Sequence, residues 1–290
     1  MKIKINQYPQ KRMCDDFYSV LAFLKHHAAK GYNKNWHWGR WEWLLGHSSL
    51  DEETLPSIGM FMDGEQIVGL VTHDMDKPVY IISNPQYTFL KAQMVDYTLK
   101  NFSKDGSCQI FAHEDDYELV EVLKSTGFAQ TEKSETCLFL DCSEKLEYNL
   151  DESFAITDFH ESKDIDKFVA VIHRGFGNNG EPAKGLSIND FPEQPHQDPK
   201  LTVFIVAENG EYAAHCGVWH FPSTDFCYIE PVVTIPEYRG HGLGKAVVYE
   251  AVNRAVEIGA KKAIVISNQQ FYYSIGFEPY SICHLWEKEV

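Results

Sequence analysis

The chain has 290 residues, 44% hydrophobic and 23% charged, with a formal net charge of −16. That length suits two domains better than one core, and the ordinary apolar content describes a globular protein in water. The acidic balance counts against general binding to DNA or RNA. No apolar run approaches a membrane span, and "MKIKINQYPQ" lacks a signal-peptide core; seven cysteines without a C-x-x-C pair fit reduced thiols in a cytoplasm.

In chain order, the first conspicuous stretch is "NWHWGRWEW", which gathers Trp36, Trp38, Trp41 and Trp43. Burial is the commoner fate of tryptophan, so this reads as core or a domain face rather than a ligand cage. Next come three segments that return later in the same order at nearly constant offset. "DGEQIVG" (63–69) resembles "NGEYAAHCG" (209–217), "IISNPQY" (81–87) matches "VVTIPEY" (232–238), and "LKSTGF" (123–128) matches "YYSIGF" (272–277). They predict two copies of one α/β unit, residues 1–145 and 150–290, joined through the polar "CSEKLEYNLDES".

The second copy begins with a strand at "FAIT" and a helix from Asp164 to about Arg174, with Ile165, Phe168, Val169 and Ile172 on one face. Residues 175–200 lack periodicity, and a loop of that length is either functional or a solvated connector. A hairpin follows at 201–221, then a strand "CYIEPVVT", a helix from about Gly242 to Ile258 stopped by Gly259, and a buried strand "KAIVIS". "NQQFYYSIG" reads as a short helix or turn, and "SICHLWEKEV" as the last strand of this copy.

Between the strand and the long helix lies "YRGHGLGKA", with Gly240, Gly242 and Gly244 at alternate positions. Strand, glycine loop and helix start together form an anion site, because the first helical amides have no intrahelical acceptor and carry partial positive charge. Arg239 adds a full positive charge at the mouth. The alternative is a helix start whose glycines serve close packing alone. A dinucleotide fingerprint fails because Lys245 follows Gly244, and a Walker loop fails because Ala246 cannot ligate magnesium.

"RGHGLG" fits the R-x-x-G-x-G pattern of the GNAT superfamily of N-acetyltransferases, and "PEYRGHGLG" is typical of that family's acetyl-CoA loop. "NQQFYYSIGF" is similar to its asparagine, tyrosine and Gly-Phe signature. The resemblance covers roughly residues 154–290; the first copy shares the layout only. It implies two tandem GNAT-like domains of the α/β (α+β) class, each a mixed, mostly antiparallel sheet flanked by helices. It further implies acetyl-CoA as co-substrate and no metal. The amides of Arg239, Gly240, His241, Gly242, Leu243, Gly244 and Lys245 would hold the pyrophosphate. Backbone groups of Val232, Val233 and Thr234 would meet the pantetheine arm, and Asn268 would contact it too. Asn268 and Tyr272 stand closer together than the family pattern.

Acetyl transfer to an amine needs a neutral nucleophile and a proton for the leaving thiolate. A lysine-like amine of pKa about 10.4 costs roughly 4–5 kcal/mol to neutralise at pH 7. Tyr272, four residues before Gly276, stands where the resemblance places the proton donor, with Tyr273 as the other candidate. Glu230 is the candidate base, and simple alternation puts Tyr228, Glu230, Val232 and Thr234 on one face; a strand-end glutamate in solvent is the competing reading. His215 and His220 are weaker candidates for the base, since histidines on strands are usually structural, and Cys216 and Cys227 read as buried thiols. No H-E-x-x-H or zinc-like Cys/His spacing occurs.

In the first copy, Thr88, Phe89, Lys91 and Gln93 align with Arg239, Gly240, Gly242 and Gly244, and Leu123 with Tyr272. That copy is expected to have lost the site and kept the frame. The expected activity is acetyl transfer from acetyl-CoA to a primary amine, small or peptidic; a CoA-binding regulator without turnover is the alternative. The acidic Glu181, Asp190, Glu193 and Asp198 of the long loop would favour a cationic acceptor.

Overall fold

The computed structural model describes residues 2–28, 36–47, 50–75, 78–187, 194–221 and 224–290. The first half of the chain supplies β1 (Lys4–Gln7), α1 (Asp15–Ala28), α2 (Trp38–Gly46), β2 (Gly59–Asp63) and β3 (Gln66–His73). It continues with β4 (Val79–Ser83), α3 (Lys91–Asn101), β5 (Ser107–His113), α4 (Tyr117–Ser125) and β6 (Ala129–Asp141). The second half adds β7 (Phe154–Asp158), α5 (Phe159–Ser162), α6 (Ile165–Gly175), β8 (Thr202–Ala207), β9 (Tyr212–His220) and β10 (Phe226–Thr234). Then come α7 (Leu243–Glu257), β11 (Lys262–Ile266), α8 (Gln270–Ser274) and β12 (Glu278–Glu289).

These elements form two compact units, one of Met1–Leu138, Ile266–Gln269 and Pro279–Val290, the other of Phe139–Val265 and Gln270–Glu278. Each is a mixed, mostly antiparallel sheet with helices against it. The chain's last strand does not end the second unit, as the expected 150–290 boundary has it. β12 pairs antiparallel with β5, from Cys283 opposite His113 to Glu289 opposite Ser107. Its Trp286 is buried in the first unit's core with Phe61, Met94, Ile110 and Leu123. The polar junction is not loose either. The Asn253 side chain of α7 accepts from Leu146 N and donates to Leu146 O, both at 2.9 Å, laying the junction on the second unit's helix.

The tryptophan cluster belongs to the first unit's core, with Trp36, Trp38 and Trp41 each no more than 1% exposed. Arg40 lies between the rings of Trp36 and Tyr80, 4.8 Å from each centroid, and its guanidinium donates to both oxygens of Glu135 and to Asp74. A charge so deeply buried is tolerable only when paired in this way.

The internal repeat is visible in backbone detail. Helix α4 ends with Phe128 N–H bonded to Leu123 O and Gly127 N–H to Lys124 O; α8 ends with Phe277 N–H on Tyr272 O and Gly276 N–H on Tyr273 O. Both are the same glycine-terminated cap, with φ of +85° at Gly127 and +90° at Gly276. Leu123 and Tyr272 are thus structural equivalents. Pro85 and Pro236 each begin a 3₁₀ turn after the corresponding strand, β4 or β10.

In the second unit the strand order is β11-β10-β9-β8-β7, antiparallel except for β10 with β11. Asp164 caps α6 by accepting from Lys167 N–H at 3.0 Å. Helix α7 stops as expected at Gly259 (φ +115°), where Ala260 N–H reaches Ala255 O and Gly259 N–H reaches Val256 O.

Candidate functional site

Strand β10 changes character midway. It pairs in parallel with β11 only from Phe226 to Tyr228, opposite Lys262 to Ile264, yet it runs on to Thr234. Beyond Tyr228 the two strands part, so the backbone of the second half of β10 has no β11 partner. On its other side, β10 carries a bulge against β9: Ile229 faces Val218, but Val232 already faces Cys216. Two residues, Glu230 and Pro231, therefore stand opposite Gly217. A side chain at Gly217 would lie 2.6 Å from Glu230 O, which explains that glycine.

The bulge overturns the simple alternation. Residues paired across the ladder share a face, so Tyr228 goes with Trp219, and Val233 with His215, on one side. Val232 and Thr234 share the opposite side with Cys216 and Ala214. Glu230 stays on the Tyr228 side, where the Tyr228 hydroxyl donates to its Oε2. Val233 is buried against Val171 of α6, whereas Thr234 faces α7, its Oγ1 3.6 Å from where a Gly244 side chain would begin.

The glycine loop follows a 3₁₀ turn at Pro236–Tyr238. Gly240 (φ +85°) and Gly242 (φ +75°) occupy left-handed backbone conformations, and a side chain at either would meet nothing within 4 Å. Gly244 differs. It is an ordinary helical residue whose Cβ would press to 3.0 Å against the Phe271 ring. Backbone turning and close packing thus account for different glycines, and the open space lies over the first two. The first helical hydrogen bond runs from Ala246 N–H to Gly242 O at 3.1 Å. The amides of Leu243, Gly244 and Lys245 precede it and point past the helix end. Leu243 buries its side chain, so it offers the open side backbone only, and the Lys245 ammonium lies 4.9 Å over the Tyr249 ring. His241 is exposed, 6.1 Å from the Phe154 ring.

Arg239 is placed otherwise than its position suggested. Its guanidinium donates to Thr234 O (3.1 Å) and Gly175 O (3.2 Å), bracing the loop, and its amide donates to Pro236 O. Asn268 is committed as well. Its Oδ1 accepts from Thr136 N–H (2.9 Å) and its Nδ2 donates to Ser134 O (2.6 Å), so this amide ties down β6 within the first unit.

Tyr272, on α8, is 6% exposed, its ring edge-on to Phe271 and Phe277. Burial, with Cys216 and Glu230 adding to it, holds its phenol well above the ordinary tyrosine range. The hydroxyl therefore keeps its proton throughout neutral pH. Tyr273 beside it is only partly buried. Cys216 and Cys227 are buried thiols pushed up by desolvation, poor nucleophiles as expected. His220 bonds to Phe226 O.

His215 is a structural histidine with a thermodynamic signature. It is 1% exposed, stacks on Phe204 at 4.8 Å and bonds to Val203 O; burial lowers its pKa from 6.5 to about 4. Above pH 6.5 it is neutral folded or unfolded. Between 6.5 and about 4 the unfolded chain takes up a proton that the folded chain refuses, so stability falls as pH falls. The loss should reach about 3 kcal/mol at the bottom of that window. Denaturant titrations from pH 7 to 4.5 should show a shallower decline for His215→Phe than for the parent chain.

Residues not singled out from sequence complete the site's frame. A side chain at Gly175 would lie 2.4 Å from Val233 Cβ, so this glycine lets the end of α6 rest on β10. Beyond it the loop turns back along α6: Gly185 N–H bonds to Asp166 Oδ1 (2.9 Å) and Gly180 O to His173 (3.1 Å). Asp190 and Glu193 lie outside the described residues.

The first unit keeps the parting of strands, since β4 pairs with β5 only at Val79 and Tyr80 yet runs on to Ser83, but lacks the bulge and the open amides. β4 pairs with β3 from Val79 to Ser83 without a register shift. Where the second unit has open amides, α3 begins with Lys91, 5% exposed and ion-paired through Nζ to Asp116 and Glu118.

Comparison with known proteins places this geometry. Residues 171–277 match the family model described as "Acetyltransferase (GNAT) family". Among solved structures, a GCN5-related N-acetyltransferase from Sphaerobacter thermophilus superposes with a TM-score of 0.59 at 13% identity, covering 99% of this chain and 95% of that one. A tandem GNAT protein from the clavulanic acid biosynthesis pathway gives 0.60 at 12% identity, covering 99% and 98%. No curated protein matches the sequence. At these identities the structural likeness speaks for the fold, two GNAT-like halves in one chain.

Proposed function

We propose, from the premise that residues 171–277 are an acetyltransferase domain of the GNAT family, that the protein transfers an acetyl group from acetyl-CoA directly to a primary amine. The observation carrying this reading is the parting of β10 from β11 beside the open-amide start of α7. An extended amide-containing arm can pair with the edge of Val232–Thr234 that β11 leaves open, apart from the Thr234 carbonyl that Arg239 holds, and a pyrophosphate can rest on the amides of Gly240 through Lys245. The empty space over Gly240 and Gly242 is the room such a ligand needs. Arg239 acts by bracing the loop, and Asn268 has no part in this assignment.

In the transfer, Tyr272 would donate its proton to the departing sulfur, which its neutral, buried phenol suits. Glu230 would accept a proton from the amine, its carboxylate aimed by the Tyr228 hydroxyl. Contact between two bound substrates contributes the remainder of the rate. The acceptor class favoured is a cationic amine, on the acidic balance of the chain and of the loop after α6, where Glu181 and Asp198 are exposed or partly so. A polar protein without a membrane-length helix among the described residues is consistent with action on dissolved substrates.

Titration calorimetry with acetyl-CoA should give one site per chain; two equivalent sites would contradict the loss of function in the first unit. CoA release should then be followed with polyamines, aminoglycosides and lysyl peptides at low and high salt. Turnover with cationic acceptors that weakens as salt screens the loop supports the reading. Binding of acetyl-CoA with no turnover on any amine would instead mark a CoA-responsive regulator.

A further inference from the structure

The end of α6 is fastened to the segment that launches the glycine loop by more than packing. Arg174 Nη1 donates to Glu211 Oε1, and Arg174 Nη2 lies 3.0 Å from Glu237 Oε1. The second oxygen of Glu211 accepts from the Tyr238 hydroxyl at 3.2 Å, and Asn209 donates to that hydroxyl at 3.1 Å. One residue further, Arg239 reaches back to Gly175 O. Three consecutive residues, Glu237, Tyr238 and Arg239, are thereby tied to the α6 terminus or to the β8–β9 turn.

An isolated solvated ion pair contributes little and would hardly be felt. Here a single planar guanidinium spans carboxylates from two different elements, which fixes direction as well as distance. The loop needs such a fixed origin. Its two left-handed glycines, Gly240 and Gly242, give it conformational freedom that nothing within 4 Å of their Cα substituent positions restrains. Amides that must converge on one anion bind it well only if the turn before them is held.

We propose that Arg174 is a positioning residue for the glycine loop: by bridging Glu211 and Glu237 it holds the Pro236–Tyr238 turn so that the following amides converge on the pyrophosphate. This rests on the acetyl-CoA reading. Arg174 touches neither reacting centre, so its removal acts on donor affinity and leaves the chemical step alone.

The test is calorimetry with acetyl-CoA on the full chain and its variants, with thermal denaturation alongside. Arg174→Gln should weaken binding about fivefold with little change in Tm, while kcat at saturating acetyl-CoA stays near the parent value. Arg174→Lys should recover only part of the affinity, because a point charge cannot span both carboxylates. Glu237→Gln should weaken binding too, and the double variant Arg174→Gln, Glu237→Gln should be no worse than Arg174→Gln alone, since both remove one bridge. Parent-like affinity in Arg174→Gln, or simple additivity in the double variant, overturns the inference. If the parent chain itself binds no acetyl-CoA, it is the acetyltransferase reading that fails.

Discussion

Replacing Gly242 by aspartate is expected to weaken acetyl-CoA binding by at least about 100-fold while the protein stays folded. Gly242 is the N-cap of α7 at φ +75°, and a side chain there meets no protein atom within 4 Å. The fold therefore loses only the backbone strain of a left-handed residue, about 1–2 kcal/mol at most and less for aspartate, which tolerates that region. The ligand loses more. Two like charges about 4 Å apart at an effective dielectric near 20 repel by about 4 kcal/mol, and the carboxylate would sit where the phosphates belong. Gly242→Asn separates the contributions, having the same shape and backbone preference without the charge. Calorimetry on both variants should find asparagine much the milder. Equal affinity of Gly242→Asp and the parent chain would mean that no anion lies on this loop.

Tyr272→Phe should lower kcat by about 100-fold and change the acetyl-CoA dissociation constant less than about twofold. Phenylalanine keeps the edge-on contacts with Phe271 and Phe277, and the backbone cap on Tyr272 O does not involve the side chain. Only the hydroxyl disappears, and a donor to a departing thiolate matters chiefly as the C–S bond breaks. Stopped-turnover assays with the best amine from the panel, beside calorimetry, measure both quantities. Because burial raises the phenol's pKa, alkaline loss of activity through this group lies above the ordinary tyrosine range. A parallel fall in affinity and turnover would recast Tyr272 as a packing residue.

The parts of this site that sequence revealed are those set by local backbone demands. Three glycines between a strand and a helix stand out because a left-handed turn and a close ring contact exclude side chains wherever they occur. The paired Gly-Phe caps at Gly127 and Gly276 were legible for the same reason, and with them the duplication. What stayed hidden depends on partners distant in sequence. Nothing in "IEPVV" announces that two residues will stand opposite Gly217, yet that bulge moves Val232 and Thr234 to the face opposite Tyr228. Asn268 looked like a ligand group until Ser134 and Thr136 proved to occupy its amide. Arg174 marked only the approximate end of a helix. Its two carboxylates come from a turn and a strand connection that only the assembled sheet brings near.

The placement of β12 also bears on how the chain is made. A ribosome releases β1 through β5 first, and β4 can pair with β5 at once. The other edge of β5 must wait for Pro279–Val290, which follow the whole of the second unit in the chain. Through the whole translation of the second unit, the first therefore carries an unpaired strand edge and a core still lacking Trp286. The unit that precedes the other in the chain is completed after it, and a nascent chain stalled before Glu278–Glu289 would expose that edge to strands of neighbouring chains.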